Sequence, residues 1–205
     1  TLSSSSAASD VYKRQDEYIC ALSRLTEEKG IHFLIEAYKE LKTDKKLVIA
    51  GAASDTDGYV KMLKEMAGND PNIIFTGFVS GKLLEEIYSN AYVYVLPSKL
   101  EGMPLSLLEA MSYGNCVIGS DIAEIADVVE DKAILFKKAN VEDLKEKLQM
   151  VCDDVELVEK YKSEASGYIC GRYNWEDVVN RTVEVYRGKK SCKEKLVENS
   201  SVASI

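Results

Sequence analysis

Residues 92–120 read YVYVLPSKLEGMPLSLLEAMSYGNCVIGS. Two short apolar runs, YVYVLP (92–97) and CVIGS (116–120), flank a helix-like stretch, Pro104 to Tyr113, which Gly114 closes. The runs are too short for helices, and the first is rich in Tyr and Val, so both read as strands. Neither alternates apolar with polar, as a strand with one wet face would. Covered on both faces, they suit a parallel sheet. Strand, helix and strand in about thirty residues make one unit of an α/β fold.

The alternation continues in both directions. Upstream, EYICAL (17–22), KLVIAG (46–51) and NIIFTG (72–77) read as strands. Apolar residues at 31, 34, 35, 38 and 41 make Gly30 to Leu41 a helix. Two more helices fall near Tyr59–Ala67 and over Lys82–Asn90, with a break at Asn69, Asp70 and Pro71. Downstream, AILF (133–136) is a sixth strand, and two or three helices follow across 141–187. Asn174 and Asp177 form a capping-box-like start for the last of them. About six strands alternating with helices predict a doubly wound, Rossmann-like parallel sheet. Residues 188–205 are a polar tail.

The chain has 205 residues, 46% of them hydrophobic, enough for one domain with a proper core. It has no run of eighteen apolar residues, and so no transmembrane helix is expected. No charged start followed by an apolar stretch marks a secretory signal. The net charge of −8 argues against a nucleic-acid or anionic-membrane partner. Five cysteines, at 20, 116, 152, 170 and 192, show no CxxC or zinc spacing. They read as free thiols of a reducing cytoplasm.

The opening TLSSSSAASDVYKRQ has no hydrophobic period. Its residues 5–15, SSAASDVYKRQ, resemble a translated sequencing-library adapter in order; an ordinary Ser-rich leader is the alternative. Residues 1–15 are therefore set apart, and the domain is expected over 16–187.

In a sheet of order 3-2-1-4-5-6, ligands bind beyond the carboxyl ends of the first and fourth strands. The loops that follow those strands, SRLTEEKG (23–30) and PSKLEGMP (97–104), should face each other. Arg24 and Lys29 beside a helix start suit a bound anion, above all a diphosphate. The plainer alternative is a solvated helix start, with Thr26 as cap and Glu27 and Glu28 on the dipole. The second loop supplies Glu101, Gly102 and Met103, and Glu109 follows on the helix. Pro104 suits the first helical position and would leave the amides of Leu105 and Ser106 free for an anion. The alternative is a capping box between Ser106 and Glu109.

With both loops in view, residues 16–187 resemble the C-terminal half of a GT-B glycosyltransferase, in the retaining group called glycosyltransferase family 4. Arg24 and Lys29 match its R-x4-K-G element. EGMPLSLLE (101–109) matches E-x7-E, and TGFVSG (76–81) matches the turn that meets the nucleobase. SDIAEI (120–125) matches the segment after the fifth strand, although Ala123 stands where many members have Pro.

The resemblance implies a sugar transfer from a nucleotide-diphosphate sugar. Arg24 and Lys29 would neutralise the leaving diphosphate. Glu101 would bind sugar hydroxyls, with backbone near Gly102, Met103, Leu105 and Ser106. Glu109 would accept from the ribose hydroxyls, and Phe78 and Val79 would sit by the base. It further implies catalysis without a metal, no other cofactor, and a missing N-terminal acceptor domain as partner. The enzyme would be cytoplasmic, with any contact to the inner membrane face set by the missing half. As it stands the fragment is expected to bind its donor without turnover.

Two decoys and two rival classes complete the reading. Asp55-Thr56-Asp57 reads as a DxD metal motif, but Asx-rich turns are common before helices. His32, the sole histidine, reads as a packing or capping residue. A nucleotide-sugar epimerase shares the architecture but not E-x7-E. A glycosidase could use two carboxylates, yet an opposing cationic loop suits a diphosphate better.

Overall fold

A computed structural model describes residues 13–53 and 57–188. Six strands form one sheet: β1 (Tyr18–Leu22), β2 (Lys46–Ala50), β3 (Ile73–Gly77), β4 (Val93–Leu96), β5 (Cys116–Ser120) and β6 (Ile134–Phe136). Every pairing is parallel and the order is β3-β2-β1-β4-β5-β6. This is the doubly wound sheet expected, in the order that set the two loops opposite each other. The helices are α1 (Ile31–Lys39), α2 (Asp57–Ala67), α3 (Lys82–Ser89), α4 (Leu105–Ser112), α5 (Ala123–Val129), α6 (Val141–Asp153), α7 (Val155–Arg172) and α8 (Trp175–Tyr186).

The side-chain alternation of the strands divides the core into two layers. Ile19, Ala21, Leu47, Ile49, Val93, Val95, Cys116 and Ile118 join Leu34, Ile35, Leu63, Leu144, Leu148, Val151 and Val158 in one apolar cluster. That layer is covered by α1, α2, α6 and α7. Their strand neighbours Tyr18, Cys20, Val48, Tyr94 and Val117 are as fully buried. On that second face Tyr18 Oη donates to the α3 carbonyl of Ile87 at 2.8 Å, and Tyr94 Oη meets Ser106 Oγ of α4 at 2.8 Å. Two covered faces explain why the strands are apolar runs.

One helix, α5, was not expected from the sequence. It is only seven residues long and has no side-chain cap at Ile122, so it carries no start signal. Cys20, Cys116 and Cys152 are free thiols. Burial pushes the Cys116 thiol up to about 12, and that of Cys20 higher still.

The chain forms two compact units, one through Ile169 and one from Cys170. Within the second, Asn174 caps α8, its side chain accepting from the Glu176 amide at 2.8 Å. The leader up to residue 12, the tail from 189 and Cys192 lie outside the described residues.

Candidate functional site

The loop after β1 is pinned across the sheet end. Ser23 N donates to Ala50 O at 3.1 Å and Leu25 N to Ala52 O at 3.0 Å. A single 3-10 turn, Glu27–Lys29, then leads to Gly30. Gly30 sits at φ +66°, where a Cβ would stand 2.1 Å from Pro97 O. No other residue lets α1 begin so close to the loop after β4. That loop answers directly: Lys99 N donates to Glu28 O at 2.7 Å, and Lys99 Nζ pairs with Glu27 at 3.2 Å. The two loops therefore face each other and touch.

Between them lies a cleft of about 770 Å³. All ten candidate residues line it: Arg24, Lys29, Phe78, Val79, Glu101, Gly102, Met103, Leu105, Ser106 and Glu109. Leu22, Ser23, Glu28, Gly51, Ala52, Ala53 and Leu100 complete the wall. Arg24 is exposed and forms no ion pair among the described residues. Phe78 is 77% exposed, an apolar ring presented to solvent, whereas Val79 is buried.

Lys29 and Glu101 are paired with each other. Lys29 Nζ donates to Glu101 Oε1 at 2.7 Å, with the side chains only 14% and 6% exposed. Ser98 Oγ donates to the same oxygen at 2.6 Å. Glu109 is exposed, and its Oε2 accepts from Tyr88 Oη at 3.1 Å. Burial pushes the Tyr88 and Tyr94 hydroxyls far above their ordinary values, so both stay protonated donors.

Two local expectations need correction. The helix begins at Leu105, not Pro104, and the Leu105 amide is not free. It donates to Met103 O at 2.8 Å, because the chain folds back before the helix starts. Pro104 instead opens α4 with its carbonyl, which accepts from Leu107 N at 3.0 Å and Leu108 N at 3.1 Å. The alternative capping box is also absent: α4 has no side-chain cap, and Ser106 Oγ pairs with Tyr94. Nor does the Thr26 side chain cap the turn that follows it.

Sequence reasoning missed Ser98, Tyr88 and Tyr94. Ser98 stood in the quoted loop without a signal of its own, and tyrosines in apolar runs read as core. His32 lies outside the cleft. Its Nδ1 is 2.7 Å from Tyr59 Oη, its ring packs on Phe33, and burial holds its pKa down. Asp55 and Thr56 of the DxD decoy lie outside the described residues, as does the side chain of Asp57. Among the described residues no three His, Cys, Asp or Glu side chains cluster as metal ligands.

Residues 7–167 match the family Glycosyl transferases group 1. The chain belongs to this family. The match begins inside the leader that the sequence reading sets apart. Among relatives, the uncharacterized glycosyltransferase MJ1607 of Methanocaldococcus jannaschii is 30% identical over 176 residues, 84% of this chain and 45% of that protein. The serotype-specific mannosyltransferase WbdA of Escherichia coli is 25% identical over 181 residues, 85% of this chain and 22% of that protein. The chain thus spans less than half the length of these curated relatives. Anabaena Alr3699/HepE, solved in complex with UDP-glucose, superposes with a TM-score of 0.80 at 18% identity. That match covers 90% of this chain and 54% of HepE. The likeness is one of fold, the Rossmann-like sheet of GT-B glycosyltransferases. In this group 1 glycosyltransferase chain no described helix is long and apolar enough to cross a membrane.

Proposed function

We propose that the cleft binds a nucleotide-diphosphate sugar, and that the chain is the donor-binding part of a retaining hexosyltransferase of the family 4 type. One observation carries this reading. Arg24 and Lys29 from the loop after β1 converge with Glu101 and Glu109 from the loop and helix after β4, at the carboxyl end of the sheet. The names of WbdA and the HepE complex support a hexose donor.

In this reading Arg24 and Lys29 hold the diphosphate. As the bond from the anomeric carbon to the diphosphate oxygen breaks, negative charge builds on the leaving phosphate, and these cations offset it. The acceptor hydroxyl attacks from the same face, and its proton passes to that phosphate. Glu101 takes sugar hydroxyls, Glu109 the ribose hydroxyls, and Phe78 the base. Gly102, Met103, Leu105 and Ser106 form the wall against sugar and phosphate, with the Leu105 amide already committed to Met103. No metal is required, because the two cations do its electrostatic work. The acceptor, in a cytoplasmic polysaccharide pathway, belongs to a further domain, so this part alone binds without turnover.

Titration of UDP-glucose, GDP-mannose and ADP-glucose into the chain tests the assignment. At least one should bind, with unchanged affinity in EDTA. A metal requirement would overturn the metal-free reading. Arg24→Ala should weaken every diphosphate about tenfold or more. Unchanged affinity would remove Arg24 from the site.

A further inference from the structure

We propose that Ser98 is a positioning residue for the sugar, acting through Glu101. The inference rests on the donor-site reading above. Ser98 is fully buried beneath the cleft. Its hydroxyl donates to Glu101 Oε1 at 2.6 Å, and its own carbonyl accepts from the Ser120 hydroxyl at the end of β5. The backbone of Ser98 is thus held from the neighbouring strand, and its hydroxyl is anchored close to Oε1.

Both donors to Glu101 converge on one oxygen. Lys29 Nζ and Ser98 Oγ meet Oε1 at 2.7 and 2.6 Å, while Oε2 has no partner among the described residues. Glu101 itself is 8% exposed, and Oε2 is not among the polar atoms sealed from solvent without a partner. A carboxylate held at one oxygen by a fixed hydroxyl presents the other in a set direction. Oε2 is therefore the oxygen offered to a ligand hydroxyl. Lys29 cannot set that direction alone. It is also a phosphate ligand in this reading, and a flexible ammonium drawn toward a diphosphate loosens its hold on Oε1. Ser98 has no such second duty. It keeps Glu101 aimed while the cation shifts, and so it governs how strongly the sugar part of the donor is felt.

The test is the ratio of affinities for sugar nucleotide and bare diphosphate: UDP-glucose against UDP, GDP-mannose against GDP, ADP-glucose against ADP. Ser98→Ala should cut that preference about tenfold, with the diphosphate still bound, which also shows the variant folded. Ser98→Cys, with a weaker donor of similar size, should fall between and carries the test if the alanine variant does not fold. In a Glu101→Gln background Ser98→Ala should change the ratio no further. A purely structural serine would weaken both ligands together and add its effect to Glu101→Gln. An unchanged ratio in Ser98→Ala, or full additivity, overturns this inference alone. If the unaltered chain binds neither ligand class, the donor-site reading fails and the inference fails with it.

Discussion

Gly30 shows how one residue joins the two halves of the cleft. At φ +66°, with Pro97 O only 2.1 Å from where a Cβ would stand, it has no room for alanine. Gly30→Ala should lower stability by more than about 1 kcal/mol, read as a shifted denaturation midpoint, and should weaken donor binding as the loops part. An unchanged midpoint would mean that the loops yield easily. Tyr88 is a subtler case. Its hydroxyl lies 3.1 Å from Glu109 Oε2 and 3.2 Å from Ser106 O, while its ring stacks on Tyr113. Tyr88→Phe keeps the ring and frees the exposed Glu109. Nucleotide affinity should fall a few-fold, with the melting temperature almost unmoved. A large melting shift with intact affinity would make Tyr88 a core residue only. The charged candidates were legible because polar side chains in a Gly- and Pro-marked loop stand out from an apolar background. Ser98, Tyr88 and Tyr94 were not. Tyr88 and Tyr94 find partners 21 and 72 residues away, which only packing brings together, and the Ser98–Glu101 contact depends on how their shared loop folds.

At the scale of elements, legibility followed burial and capping. The strands were readable because both faces are covered, which leaves short unbroken apolar runs. Their observed limits differ from the reading by a residue or two. The start of α4 was misplaced because proline is compatible both with the first helical position and with the residue before it. The Leu105–Met103 hydrogen bond and the non-helical ψ of 66° at Pro104 decide between them. Helix α5 had neither length nor cap to announce it. By contrast, Asn140 is a functioning cap: its side chain accepts from the Asp143 amide at 3.0 Å and opens α6. Because Leu144, Leu148 and Val151 of that helix lie in the main core, the cap is coupled to global stability. Asn140→Ala should cost about 1 kcal/mol in a denaturant titration with the slope unchanged. Asn140→Asp, which keeps the acceptor, should recover most of it. Equal losses in the two variants would show that the cap contributes nothing.

Across the whole molecule, the strand order placed the site before any side chain did. A parallel sheet whose strand order reverses between β1 and β4 leaves one crevice at its carboxyl edge, and the polar loops had to meet there. Tyr18, Tyr38, Tyr88, Tyr92 and Tyr94 are buried in this fold. Burial raises the hydroxyls of Tyr38, Tyr59 and Tyr92 to about 12, and those of Tyr18, Tyr88 and Tyr94 beyond that, from an ordinary value of 10.0. The sign follows from linkage. Above pH 10 the unfolded chain releases these protons and the folded chain retains them, so rising pH favours unfolding. The stability they contribute is complete below pH 10 and is lost as pH climbs toward 12. In a base titration the buried tyrosines should therefore ionise together above pH 10, their tyrosinate absorbance rising in step with the loss of helical signal. A single smooth ionisation centred near pH 10, with the helical signal preserved, would show that the rings of the sheet are open to water and that this packing is wrong.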